Sequence, residues 1–342
     1  MISADGILSS KLHARCTDED IRRIIAYADP LASADKLPDI EAEYVGILLK
    51  IAHVHRLLPI VARNLRLNTS TAGAEILDAV QQDLVVGIGM SMQLGGHARR
   101  IAQAFAADGV DATLVKGPVF ASRIYPSAAD RPFTDVDLVV PPAQLPAASA
   151  VMAKLGYILH RKRWFDQSAR NQEYKWGVAE FPYLLIELHG NLVHYPGLRR
   201  TVSFGYRELM LAGDGDPTAP LALLMTAIVH AAYGHKFHRL HFVVDILQAF
   251  RALSDADKAA LPARARALGL AFDTASALDL AGRLFAEPDA VTLARTVSET
   301  PVTRMARRLL TASAVVNAGS TEGRASWLAR RSYRLLQIAF AG

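Results

Sequence analysis

The stretch Thr113-Leu-Val-Lys-Gly-Pro-Val-Phe-Ala-Ser-Arg-Ile-Tyr-Pro-Ser-Ala-Ala-Asp-Arg-Pro-Phe-Thr-Asp-Val-Asp-Leu-Val-Val140 decides the fold. It reads as a short strand, a glycine turn, a helix, and a second strand carrying two aspartates one residue apart. Side chains alternate faces along a strand, so Asp135 and Asp137 point one way while Val136, Leu138 and Val140 point into a core. Two like charges side by side repel unless something positive lies between them. The usual partner is a divalent cation with oxygen ligands, commonly Mg²⁺ holding a phosphate. Phosphoryl or nucleotidyl transfer is therefore the leading expectation.

Working outward, Tyr183-Leu-Leu-Ile-Glu-Leu-His189 is a second candidate strand, with Leu185, Glu187 and His189 on one face and Leu184, Ile186 and Leu188 on the other. If the two strands are neighbours, Glu187 completes a three-carboxylate cluster with Asp135 and Asp137. Such a cluster holds two metal ions about 3.5–4 Å apart. The plain alternative is two polar strand ends facing solvent. Lys116-Gly117 closes the first strand. A glycine there lets the backbone approach a phosphate, the following helix adds amide donors, and Lys116 neutralises phosphate charge. An ordinary strand-to-helix turn is the competing reading. Arg131, four residues before Asp135, either pairs with the carboxylates, reaches a phosphate, or forms a surface ion pair of little energetic weight.

The flanks of this region are helical in pattern. Thr17-Asp-Glu-Asp20 is a helix start with acidic residues in its first turn. Residues 40–66 place Val45, Leu48, Leu49, Ala52, His55, Leu57, Leu58 and Val61 at helical spacing, and Pro59 kinks or divides the run. The run 72–107 contains Gly87, Gly89, Gly95 and Gly96, for which close helix packing is a better reading than a phosphate loop. Pro142 to Leu155 is helical and ends at Gly156. Further strands are expected at Tyr157–Arg161 and Glu173–Val178. Beyond residue 200 the chain returns to helices, beginning at Pro220 and again at Arg239. The expected class is α+β: a small mixed-sheet domain at 109–200, an N-terminal helical segment at 1–108, and a C-terminal helical domain at 201–342.

Composition narrows the function classes. The chain has 342 residues, 51% hydrophobic and 21% charged, so a globular protein of two or three domains fits. A single cysteine, Cys16, excludes an intrachain disulfide and a cysteine metal cluster. The N-terminus lacks the layout of a secretory signal, and no apolar run reaches the ~20 residues needed to cross a bilayer. A cytoplasmic protein without stable membrane insertion is expected. A net charge of +5 leans toward anionic partners only slightly. His235, His238 and His241 recur every third residue; polar packing between segments is favoured, then contact with nucleotide or acceptor, and a Zn²⁺ site last. Asp245 is expected to meet a buried partner such as Arg239 or a histidine. Trp327 to Phe340 forms a basic amphipathic helix, for which packing on its own domain is favoured over an anionic membrane or RNA.

Leu-Val-Lys-Gly, Ile-Tyr-Pro, Asp-Arg-Pro-Phe-Thr-Asp-Val-Asp-Leu-Val-Val and Leu-Gly-Tyr at 155–157 together resemble the uncharacterised nucleotidyltransferase family of the DNA polymerase beta-like superfamily. Glu187-Leu188-His189, His230-Ala-Ala, Arg239-Leu-His-Phe-Val-Val-Asp245 and His53-Val-His-Arg-Leu-Leu-Pro59 are similar to further motifs of that family, so the resemblance covers roughly residues 45–250. It implies an enzyme that moves a nucleoside monophosphate from an NTP to an acceptor. Asp135 and Asp137 would bind metal, two Mg²⁺ ions in all, and Glu187 would be the third carboxylate. Lys116, Gly117, Arg131 and His189 would lie near the nucleotide. One departure stands out: Gly117 precedes Pro118, which has no amide hydrogen, where the superfamily has a Gly-Gly or Gly-Ser pair. A small metabolite or a sugar or polysaccharide precursor is the favoured acceptor. RNA or protein modification, and a non-catalytic nucleotide-binding relic, remain the alternatives.

Overall fold

In the computed structural model the described residues are 12, 14–68, 71–160, 173–178, 181–195, 197–319 and 324–340. Five strands, β1 (Thr113–Val115), β2 (Asp135–Val139), β3 (Ile158–Leu159), β4 (Glu173–Val178) and β5 (Phe181–His189), form one mixed sheet in the order β1-β2-β5-β4-β3. Only β2 and β5 run parallel; the other pairs are antiparallel. A parallel pair needs a long crossover, and the segment between β2 and β5 supplies it through helix Leu145–Lys154 and the β3 and β4 strands. That helix has Pro146 in its first turn and ends before Gly156, whose φ of +87° suits a residue without Cβ. The strand expected at 157–161 is two residues long, and Arg161 lies outside the described residues.

The alternation read from the sequence holds. Val136, Leu138, Leu184, Ile186 and Leu188 are wholly buried on one face, in a core shared with Leu94, Ala98, Ile101 and Phe105 of helix Gln81–Ala107 and with Ala148, Val151 and Met152. Close helix packing does not explain Gly87, Gly89 and Gly96: a Cβ at each would meet open space. The opposite face of the sheet carries the acidic residues, and its far end, Val115 and Val139, joins a second and larger core. That core is built from both ends of the chain. Ile24, Tyr27, Val45, Leu49 and Ile60 from the N-terminal helices pack with Leu224, Ile228, Val243, Leu247 and Leu278 from the C-terminal ones. The site face of the sheet is thus set against the helices by the apolar residues beyond it.

Local signals fix several of the helices. Thr17 and Asp20 form a reciprocal cap, each side chain accepting from the other's backbone amide. Pro59 divides the second helical run into Ala42–Val54 and Leu58–Arg66, occupying the first turn of the latter. In the turn between them His55 enters the core while Arg56 takes a φ of +56° and stays exposed.

Two buried carboxylates organise the C-terminal helices. Asp245, on helix Leu240–Arg251, does not meet Arg239 or a histidine. It accepts two hydrogen bonds from the Arg131 guanidinium, at 2.8 and 2.9 Å, and a third from the Tyr125 hydroxyl at 2.6 Å. Asp273 accepts from the hydroxyls of Tyr233 and Tyr333, both at 2.6 Å, and from the Gln337 amide at 2.5 Å. Tyr333 and Gln337 belong to the last helix, Arg324–Phe340, which does pack on its own domain, but through its polar side. Its buried residues are Ser326, Tyr333 and Gln337, while Trp327, Leu328, Leu335, Ile338 and Phe340 face outward. No helix among the described residues is long and apolar enough to cross a membrane.

Candidate active site

The parallel pairing of β2 with β5 sets Asp137 opposite Glu187, Asp135 opposite Leu185 and Val139 opposite His189. Residues in register on neighbouring strands share a face, so Asp135, Asp137, Glu187 and His189 converge on one side of the sheet. Asp137 and Glu187 are nearly closed off from solvent and His189 entirely so, while Asp135 at the strand's start is half-buried. Asp137 Oδ1 takes a hydrogen bond from Lys116 Nζ at 2.7 Å and lies 2.7 Å from His189 Nε2. The same imidazole nitrogen is 3.4 Å from Glu187 Oε2.

Lys116 reaches Asp137 because of its backbone. It follows β1 with φ +56° and ψ −126°, a conformation ordinarily left to glycine, and begins helix Gly117–Arg123. Holding a side chain there costs roughly 1–3 kcal/mol and is characteristic of functional sites. At Gly117 a Cβ would meet the Phe133 side chain at 3.0–3.2 Å, so the missing side chain makes room for Phe133.

Electrostatics divide the carboxylates. Burial, followed by the charge of Asp137, pushes Asp135 up to about 6. Burial alone would raise Asp137 as well, but Lys116 and His189 outweigh it and hold the group below its ordinary value. Glu187 is likewise held well below the usual carboxylate range by His189, Lys116 and Lys175, against the effect of burial. His189, although fully buried, is raised to about 9 by its hydrogen bonds to Asp137 and Glu187.

Strand β4 contributes residues that the motif reading did not single out. Lys175 pairs with Glu187 across the ladder and donates to Glu187 at 2.5 Å and to Glu173 at 2.9 Å. Glu173 lies opposite His189, and its Oε2 is 3.2 Å from His194 Nδ1. The His189 and His194 rings meet edge to face at 5.1 Å. Two groups of side chains bring ligand atoms within 4.8 Å of one another: Asp137, Glu187 and His189, and Glu173, His189 and His194. Asp135 lies outside both. The paired carboxylates of Asp137 and Glu187 are the oxygen ligands that Mg²⁺ or Mn²⁺ takes, so they fit a divalent cation, while His189 Nε2, which faces them, must give up its proton to join as a ligand.

The helices supply the wall facing this surface. His230 and His235 are close enough to Lys116 for its charge to lower both, after the larger effect of burial, which brings His235 down to about 3. His235 stacks on Phe242 at 4.4 Å with the rings 10° apart, and lies 4.7 Å from His230 and 5.0 Å from His238. Among the described residues, His235, His238 and His241 do not bring their nitrogens together as a metal site. They pack around Phe242 as part of a largely neutral aromatic cluster. Arg56 sits at its edge, where its charge is felt by Asp135. Arg131 is not directed to the carboxylates: Nε and Nη2 bind Asp245 and Nη1 donates to the Pro132 carbonyl at 3.0 Å. Strand periodicity carried the information about Asp135, Asp137 and Glu187. Glu173, Lys175 and His194 gave no comparable signal, because their place depends on how β4 is registered against β5.

An aspartate pair on one strand, a glutamate in register on its parallel neighbour and a lysine bonded to Asp137 form the kind of arrangement that phosphoryl- and nucleotidyl-transfer chemistry uses. The chain belongs to a family described as uncharacterised nucleotidyltransferase, whose model matches residues 44–286. This confirms the resemblance read from the motifs and supports nucleotidyl transfer as the general activity. The matched span takes in the whole sheet, the histidine wall and the Arg131–Asp245 pair. No curated protein and no solved structure matches the chain.

Proposed function

We propose that this protein transfers a nucleoside monophosphate from an NTP to an acceptor in a Mg²⁺-dependent reaction that releases pyrophosphate, with a small metabolite or a sugar or polysaccharide precursor as the favoured acceptor. The observation that carries the proposal is the register of Asp137 with Glu187, with Asp135 two residues earlier on the same face. Asp137 and Glu187 would hold one ion, and Asp135 with Asp137 a second, with His189 hydrogen-bonded beside them. Bound there, Mg²⁺ supplies Lewis-acid polarisation of the phosphoryl oxygens. Lys116, fixed by its strained turn and by Asp137, is the cation available to the phosphates beside the carboxylates. Arg56 adds positive charge at the open side. Glu187, oriented by Lys175 and His189, positions the acceptor. His235, backed by the buried Phe242 ring on which it stacks, offers its partly exposed side to the nucleobase or the acceptor. Arg131 and Gly117 we assign to the scaffold.

A second reading rests on the ion pairs. Asp137 already has Lys116 as a partner and Glu187 has Lys175, which favours a protein that binds nucleotide without turning it over. Incubating the protein with each α-labelled NTP, Mg²⁺ or Mn²⁺, and separate pools of small metabolites, RNA and protein distinguishes the two. Label entering the metabolite pool, and absent with a folded Asp137→Asn variant, is the expected result. Nucleotide binding without transfer to any pool selects the second reading. Undiminished transfer by Asp137→Asn overturns the first.

A further inference from the structure

The last helix, Arg324–Phe340, is amphipathic in the reverse of the usual sense for a surface helix. Several of its polar residues, Ser326, Tyr333 and Gln337, point inward. Tyr333 and Gln337 are fully buried on Asp273, and Arg334 donates to the carbonyls of Tyr233 and Ala232 at 2.6 and 3.2 Å. The reason lies with Asp273, a carboxylate with no access to water that needs three donors and draws two of them from this helix. What remains for the outside is a set of large apolar side chains interleaved with Arg324 and Arg331. Trp327, Leu328, Leu335 and Ile338 fall within about a third of the helix circumference at 100° per residue, and with Phe340 at the end they are 49–59% exposed.

The charges beside this stripe share one sign. The helix contains Arg324, Arg330, Arg331 and Arg334 and no aspartate or glutamate. Arg331 lies within the stripe, its guanidinium 5.0 Å from the Trp327 ring centre. Tryptophan and long aliphatic chains set among arginines suit the boundary between lipid headgroups and acyl chains, where the aromatic ring and the guanidinium sit at the level of the phosphates. RNA would meet a single stacking ring and several aliphatic chains that gain nothing from it. A second copy of this chain would bring arginines against arginines.

We propose that the outer face of helix Arg324–Phe340 docks this protein peripherally on an anionic lipid bilayer, lying in the plane of the interface with Trp327, Leu328, Leu335 and Ile338 among the lipids. This does not depend on the nucleotidyl-transfer reading. The same helix is tied to the histidine-bearing segment, since Arg334 donates to the Ala232 and Tyr233 carbonyls between His230 and His235.

Full-length protein is floated with vesicles of phosphatidylcholine alone and of phosphatidylcholine with about a third phosphatidylglycerol, while tryptophan fluorescence is recorded. The expected result is flotation with the anionic vesicles only, with a blue shift in emission that disappears in Trp327→Phe. Leu335→Asp with Ile338→Asp removes two anchoring side chains, each exposed in the free protein, and lowers partitioning at least tenfold with an unchanged melting curve. Arg331→Gln lowers it about fivefold. Three results overturn the proposal: no flotation at low salt, flotation unaffected by the double substitution, or a dimer that the double substitution dissociates without any lipid binding by the wild type. Binding to RNA in place of vesicles also overturns it.

Discussion

Replacing Asp245 tests whether Arg131 belongs to the scaffold or to the phosphates. The Arg131 guanidinium is nearly closed off from water and the Asp245 carboxylate almost wholly so, and both carboxylate oxygens are used. Asp245→Asn keeps the shape but leaves a full positive charge buried without its counter-charge, which costs about 3–5 kcal/mol. The Tyr125 hydroxyl retains an acceptor in the amide oxygen only if that oxygen turns toward it, and losing that bond adds about 1 kcal/mol. Replacing both members, Arg131→Met with Asp245→Leu, removes the two charges together and returns stability to within about 2 kcal/mol of wild type. Urea unfolding followed by circular dichroism gives both numbers, and NTP affinity is measured on the same samples. The scaffold role requires a large loss in the single variant, recovery in the double variant, and NTP affinity in the double variant close to wild type. A loss below about 1 kcal/mol in Asp245→Asn refutes the energetic reasoning. A stable double variant that binds NTP more than tenfold more weakly gives Arg131 back to the phosphates.

Two further outcomes follow from the backbone and from burial. Lys116→Gly and Lys116→Ala both remove the ammonium, but only glycine accepts φ +56° without strain, so the glycine variant unfolds at higher urea, by about 1–2 kcal/mol; the reverse order removes the case for a strained turn. His55 accepts a hydrogen bond from the Leu240 amide at Nδ1 and donates from Nε2 to the Val316 carbonyl, and burial brings it down to about 4. The unfolded imidazole takes up its proton near 6.5 while the folded one resists until about 4, so the stability it contributes is present above 6.5 and lost as pH falls between the two. The loss is about 3 kcal/mol by pH 4, seen as a falling urea midpoint, and His55→Gln flattens that share of the slope. An equally steep slope in His55→Gln would assign it to other groups.

Much of this protein is written locally. The period of two along 135–140 and 183–189 placed the acidic residues on one face, because strand side chains alternate whatever the partner strand is. Pro59 and Gly156 marked boundaries because their effects are confined to their own dihedral angles. The motifs around Lys116, Asp135, Asp137 and Glu187 sufficed to recognise the family. Tertiary structure decided the partnerships. Register alone brought Lys175 onto Glu187 and Glu173 opposite His189. Arg131 was drawn to Asp245, 114 residues away, because a buried carboxylate needs a counter-charge wherever the fold supplies one. Gly117 lies against Phe133, whose ring reaches it only once the intervening turn has folded back. The last helix presents its apolar side outward because a single sealed aspartate claims its polar one. Backbone sterics and periodicity act over a few residues and can be read from the chain; the pairing of buried charges depends on which distant segments are brought together, and that is settled only when the whole molecule is packed.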